Sequence, residues 1–331
     1  MNEIELTQND TELARTNGDL GSNPAFVYLA SLAPGSRRTM IGALGKMAAI
    51  LTDTEAHGKE AQLSLAVSYP WHDLRFQHTA ALRAQLAQDH AAGTVNKMLS
   101  ALRQVLKRAW RLGLMSREDY ARAADVEGVK GETLPAGRSL SGGELDALMT
   151  ACAEDATAAG ARDGAMLALL YSCGLRRAEL AALTMADLDA EAGKLTIHGK
   201  GNKARLAHVV NGADAALDDW LTVRGLDDGP IFCPIDKGGN LHAGEGITAQ
   251  AVYNMLDKRT SQAGLTETAS PHDFRRTFVG DLLDAGADIA TVQHLAGHAN
   301  VTTTTRYDRR PEAAKRKAAS LLHIPYRRRK A

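Results

Sequence analysis

Between Asp125 and Arg138 the hydrophobic periodicity that runs through this sequence stops. The stretch Val126-Glu127-Gly128-Val129-Lys130-Gly131-Glu132-Thr133-Leu134-Pro135-Ala136-Gly137 has the glycine and proline of a linker rather than the pattern of a buried element. Because 331 residues exceed what one hydrophobic core ordinarily serves, the break predicts two separate cores. At 44% hydrophobic and 24% charged residues, the chain has an ordinary globular composition, which excludes collagen-like, rod-like and wholly disordered chains. No apolar stretch approaches the ~18 residues of a membrane span. Residues 1–23 are polar and acidic and lack the regions of a signal peptide, so they read as a disordered arm and the chain as cytoplasmic. Three cysteines, Cys152, Cys173 and Cys233, without CxxC spacing predict reduced thiols and neither a disulfide framework nor a structural zinc site.

The N-terminal half reads as helical. Asn23 is placed to cap a helix with Pro24 in its first turn, and Ser36 to cap another whose apolar positions are Met40, Leu44, Met47 and Leu51. The clearest helix runs from about Thr94 to Leu112. At 100° per residue, Val95, Met98, Leu99, Leu102, Val105, Leu106, Ala109 and Trp110 share one arc, while Lys97, Arg103, Lys107, Arg108 and Arg111 share the opposite one. Such a basic face is either a solvated helix surface or a surface laid against phosphates. Beyond the linker, Ser141 and Glu144 form a capping-box pattern ahead of Leu145, Leu148 and Met149. Apolar helical stretches near Ala161–Leu183 and Ala249–Ala263 flank a hairpin, in which Leu195 and Ile197 alternate with polar residues, Gly199-Lys200-Gly201 turns, and a second strand runs to about Val210. The expected fold class is mainly α with a small antiparallel sheet in the second domain.

The formal net charge is zero, from 39 basic and 39 acidic residues, yet the charge is segregated. Residues 1–24 carry one basic and five acidic groups, and residues 25–138 fifteen and ten. Residues 139–304 carry thirteen and twenty-two, and residues 305–331 ten and two. A polyanion can therefore meet the basic parts of a chain that is neutral overall.

Several features of the C-terminal half carry chemistry. Arg176 and Glu179, three residues apart, read singly as a structural ion pair. Lys200 at a glycine-flanked hairpin tip reads as an exposed turn lysine, and the segment does not match a phosphate-binding GxxxxGK[ST] loop. His272 and Arg275 share a helical face behind Pro271 and together suit an anion. His294 and His298, four apart, lack the glutamate of a zinc-binding HExxH motif. Tyr307 stands among cations, which is what a phenol nucleophile needs when its ordinary pKa near 10 leaves it protonated.

In order and spacing, Arg176, Lys200, His272-x-x-Arg275, Gly297-His298 and Tyr307 nine residues later resemble the tyrosine recombinases, the lambda-integrase family with its Xer members. Glu179 stands where that family carries an acidic residue supporting the site. The match is specific in the catalytic half and looser over the N-terminal helices. The resemblance implies a two-domain DNA clamp: residues 1–23 an arm, 24–125 an all-helical core-binding domain, 126–138 a linker, 139–323 a catalytic domain ending in a docking segment, and 324–331 a basic tail. Ala318, Ala319, Leu321, Leu322 and Ile324 are candidates for the docking segment. It further implies strand cleavage by Tyr307, with Arg176 and Arg275 on the phosphate, His272 and His298 as further donors, and Lys200 protonating the leaving 5′ oxygen. No cofactor is implied. The implied partners are a double-stranded DNA recombination site and a homo-tetramer on it, with a second recombinase or accessory protein left open, in a nucleoid-associated setting. Lys97, Arg103, Lys107, Arg108 and Arg111 are the candidate DNA contacts. A catalytically inactive DNA-binding regulator and a type IB topoisomerase are the alternatives.

Overall fold

The computed structural model describes residues 20–131, 137–199, 203–298, 300–305, 319–320 and 322. The chain divides into two compact units, Met1–Leu134 and Pro135–Ala331. The arm before residue 20, residues 132–136 of the linker, Lys200, Tyr307, most of the expected docking segment and the basic tail lie outside the described residues.

The first unit is all helix where described: α1 (Pro24–Ala30), α2 (Pro34–Thr52), α3 (Lys59–Ser68), α4 (Phe76–Asp89), α5 (Ala92–Arg111) and α6 (Arg117–Ala124). Asn23 caps α1 through a 3.0 Å bond from the Phe26 amide. The expected cap at Ser36 is not one: α2 begins at Pro34 behind Ala33, because proline's fixed φ already suits the first helical position. The predicted helix at 94–112 is α5, begun two residues earlier. Its apolar arc is buried up to Ala109 and half-buried at Trp110, and Leu99, Leu102 and Leu106 meet Leu44, Met47, Leu82 and Leu86 in one core. Burying each such side chain contributes roughly 1.5–3 kcal/mol.

The polar face of α5 and α4 does a second job. Arg103 donates to the carbonyls of Ala124 and Val126. The Asn96 side chain makes a reciprocal pair with the Val129 backbone at 2.8 and 3.0 Å, and Arg83 donates to Glu127 and Gly128 oxygens. The segment 124–129, which its composition marks as the start of a linker, is thus held along the first unit through its main chain.

The second unit contains α7 (Gly142–Ala153), α8 (Ala158–Ser172), α9 (Arg177–Ala181), strands β1 (Leu188–Asp189), β2 (Lys194–Gly199) and β3 (Lys203–His208), then α10 (Ala213–Arg224), α11 (Ala249–Gln262), α12 (Pro271–Asp284), α13 (Ile289–Ala296) and α14 (Val301–Thr305). The Ser141–Glu144 capping box forms as its spacing predicts. The sheet is antiparallel in the order β1-β2-β3, with Leu195 paired to Ala207 and Ile197 to Arg205. Leu195, Ile197 and Ala207 face the core, while Leu206 faces out. Inside the unit, the fully buried Arg259 of α11 binds Asp163 of α8 and Asp155 at 2.8–2.9 Å, so its charge is compensated where water is absent.

The apolar stretch near 161–183 is not one helix. It breaks between α8 and α9 at Gly174, whose φ is +55° and where a Cβ would stand 2.3 Å from the Phe278 ring. Phe278 and Val279 of α12 pack on Val292 and Ala296 of α13 in a small separate cluster, which fixes the turn after α13 beside α12. No described helix is long and apolar enough to cross a membrane.

Candidate active site

Three turns converge at one end of the second unit, two bringing an arginine and the third an imidazole. At the first, Arg176 is the N-cap of α9 and Glu179 closes a reciprocal box on it. The Arg176 amide donates to Glu179 Oε2 at 3.0 Å and its Nη1 to Oε1 at 2.5 Å. The Arg176 side chain remains 46% exposed whereas Glu179 is 6% exposed, so the carboxylate anchors the guanidinium from inside and leaves its outer edge toward solvent.

The second turn opens α12. Ser270 and Asp273 cap this helix reciprocally with Pro271 in its first turn. His272 is exposed and Arg275 buried one turn on. Arg275 donates from Nη1 to the Gly174 carbonyl at 2.6 Å and from Nη2 to the Ala296 carbonyl. Asp273 also accepts the Arg138 amide at 2.8 Å, and Arg276 donates to the Gly137 carbonyl at 2.6 Å.

The third turn follows α13. Gly297, with φ +63°, is its left-handed C-cap, a geometry that favours glycine. Its carbonyl accepts from Arg176 Nη2 at 3.2 Å. His298 comes next, its carbonyl bound by the Gln293 side chain at 3.1 Å and its Nδ1 paired with Thr304 Oγ1 at 2.9 Å.

Electrostatics follow from this packing. Burial opposes ionisation of Glu179, but the hydrogen bond and charge of Arg205, together with hydrogen bonds from the Arg176 amide and side chain, outweigh it and hold the carboxyl below its ordinary range. Burial, then the charges of Arg275, Arg176 and Arg205, and last His272, push His298 from 6.5 down to about 4. The cluster therefore presents permanent guanidinium charge beside an imidazole that is neutral at pH 7, an arrangement suited to an anion with charge spread over several oxygens.

Of the residues expected from sequence, the structure brings Arg176, Glu179, His272, Arg275 and His298 together; Lys200 and Tyr307 lie outside the described residues. Arg205 on β3 belongs to the cluster and was not anticipated. Its signal is strand parity, since it shares the inward register of Ala207 and an arginine there requires a buried acid. Thr304 likewise joins through His298. On α5, Lys97 and Arg111 are exposed and Lys107 is half-buried. Arg103 is spent on carbonyls, as described above, and Arg108 lies over the Tyr28 ring at 5.3 Å, so the basic face is less uniform than helical periodicity implies. Among the described residues no group of three or more His, Cys, Asp or Glu is placed to hold a metal ion.

The family described as the phage integrase family matches residues 138–313. The tyrosine recombinase XerC of Alcanivorax borkumensis is 33% identical over 251 residues, which cover 74% of this chain and 78% of that protein. That of Pseudomonas syringae pv. tomato is 32% identical over 290 residues, covering 82% and 90%. Among solved structures, the Tn1549 transposon integrase in complex with transposon right-end DNA shares the fold with a TM-score of 0.63 at 17% identity, over 95% of this chain and 98% of that one. A lambda integrase dimer bound to a core site gives 0.60 at 16% identity, over 85% and 92%.

Proposed function

The chain belongs to the phage integrase family and is a tyrosine site-specific recombinase, and from this premise we propose that it cleaves and rejoins DNA through a 3′-phosphotyrosyl intermediate at Tyr307. The observation that carries the reading is the convergence of Arg176, Arg275, His272 and His298 at one end of the second unit, with Arg176 anchored on the buried Glu179 carboxylate.

Attack by the Tyr307 oxygen on a phosphodiester forms a pentavalent phosphorane with extra charge on its non-bridging oxygens. Guanidinium groups held at fixed positions stabilise that charge without reorganising as it develops. Arg176 offers its exposed edge to those oxygens, and Arg275, anchored to two carbonyls, supplies the second fixed charge. His272 takes the phenolic proton. As the new P–O bond forms, the bond to the 5′ oxygen breaks, and Lys200 delivers a proton to that oxygen. The neutral His298 donates a further hydrogen bond. The energy of the broken phosphodiester stays in the tyrosyl ester, so the reverse attack by a 5′ hydroxyl of another strand needs no nucleotide hydrolysis.

Both units engage the duplex, the first through Lys97, Lys107 and Arg111 on α5, with Arg103 and Arg108 adding charge while committed to protein contacts. Four copies synapse two sites. The segment around Leu321, Leu322 and Ile324 links neighbours; Leu322 is 83% exposed, and a groove of about 800 Å³ lined by Leu145, Met149, Tyr171, Val210, Phe278 and Leu282 offers an apolar seat of matching character.

A nicked DNA substrate that loses its 5′ fragment on cleavage tests the chemistry. The wild-type chain is expected to form a denaturant-resistant DNA adduct and Tyr307→Phe none. An undiminished adduct in Tyr307→Phe would falsify the assignment. Joined products from two sites, rather than relaxation of one, distinguish recombination from topoisomerase action.

A further inference from the structure

The inference concerns Arg205 and rests on the active-site reading above. This residue stands on β3, opposite Ile197, and its side chain is 13% exposed. Its Nη2 donates to Glu179 Oε2 at 2.9 Å and its Nε to the Leu295 carbonyl at 3.0 Å. One guanidinium thus spans three stretches distant in sequence: the box at α9, the sheet, and the C-terminal end of α13. Its aliphatic stem passes so close beneath Gly297 that a Cβ there would sit 2.9 Å from Arg205 Cδ.

We propose that Arg205 is a positioning residue for strand cleavage, which fixes Arg176 through Glu179 and fixes the His298 turn through Leu295.

The two oxygens of Glu179 are divided between the two arginines, Oε1 to Arg176 and Oε2 to Arg205 and the Arg176 amide. Without Arg205, Glu179 keeps only a partner that is half in solvent, and the carboxylate can rotate and carry Arg176 with it. The carbonyl of Leu295 is among the last of α13, and such carbonyls have no partner within their own helix. Arg205 supplies one, so the chain leaves α13 along a single path into Gly297 and His298. A lysine at this position keeps the charge, but its point donor cannot reproduce a planar fork reaching both acceptors.

The test measures single-turnover adduct formation on the nicked substrate, DNA binding, and the titration of His298 by NMR of labelled histidine. Arg205→Ala is expected to slow adduct formation by about 100-fold, the size of effect that displacement of a reacting group by an ångström produces, with DNA binding nearly unchanged. His298 is expected to titrate at higher pH than in the wild type, because one of the charges that repel its proton is gone. Arg205→Lys should restore the His298 titration while recovering only part of the rate. Glu179→Gln, nearly isosteric, provides the second arm: combined with Arg205→Lys it should be no slower than the slower single variant, since both act on one contact.

Wild-type rates in Arg205→Ala, an unmoved His298 titration, or strictly multiplying losses in the double variant would each overturn the proposal. Failure of the underlying reading looks different, because it leaves an adduct in Tyr307→Phe whatever Arg205 does.

Discussion

His298 is the residue whose chemistry depends most on its surroundings. Its folded pKa of about 4 lies below the ordinary 6.5, so at pH between those values the unfolded chain binds a proton that the folded one refuses. The stabilisation from keeping this imidazole neutral is complete above pH 6.5 and is lost progressively as pH falls toward 4. Thermal melting followed from pH 6.5 to pH 5, a window above the ordinary carboxylate range, should show the melting temperature declining in the wild type and declining less in His298→Gln. An equal slope in both would place the neutral imidazole elsewhere. At this scale the sequence was legible wherever spacing carried the information: Arg176 with Glu179, His272 with Arg275, and the glycine before His298. Arg205 was not, because a lone arginine in a short strand looks like solvent-facing polarity until the register shows it on the side of Leu195 and Ala207. The uniform basic arc of α5 misled for a related reason. Angular position says which way a side chain leaves the helix, and not that Arg103 will meet carbonyls of a segment more than twenty residues away.

Elements in this chain end where glycines permit. Gly174 separates α8 from α9, and the left-handed turn there turns its carbonyl toward Arg275. A methyl group at this position meets the edge of Phe278 at 2.3 Å and adopts a backbone conformation costly for any other residue. Gly174→Ala is therefore expected to destabilise the second unit by roughly 1–3 kcal/mol, the usual range for overpacking a filled site, and Phe278→Leu in the same chain should return part of it. Urea denaturation checks both. A shift smaller in the double variant than in Gly174→Ala alone confirms the ring as the obstacle, and an equal or larger one removes it. The continuous apolar run near 161–183 concealed this break, since periodicity passes over a single glycine whose role is set by a ring a hundred residues on. Proline and capping signals were more transparent. Asn23-Pro24, Ser141 with Glu144, and Pro271 each mark a helix start in the structure, because the groups that satisfy the first amides are local.

For the molecule as a whole, neutrality conceals a division of labour between a first unit with exposed cations on α5 and a second whose residues 139–304 hold more acids than bases. If Lys97, Lys107 and Arg111 lie on phosphates, alanine at each should weaken binding similarly for specific and unrelated DNA and lower the slope of log affinity against log salt by about 0.9. Arg103→Ala should instead chiefly lower stability, since it strands the carbonyls of Ala124 and Val126. Filter binding across a salt series separates the two behaviours, and an unchanged slope for all three would take α5 off the duplex. The division into two cores was readable from the lapse in periodicity after Asp125. That residues 124–129 are fastened to the first unit was not, because the fastening uses backbone oxygens that no sequence pattern displays. The same economy governs the cation cluster, where Arg176, Arg205 and Arg275 find acceptors on Gly174, Leu295, Ala296 and Gly297. Main-chain oxygens are identical whatever residue bears them. Descendants of such a chain can therefore swap Leu295 or Ala296 for other nonpolar types while the arginine scaffold stands, whereas drift at Glu179 or Gly297 dismantles it in one step.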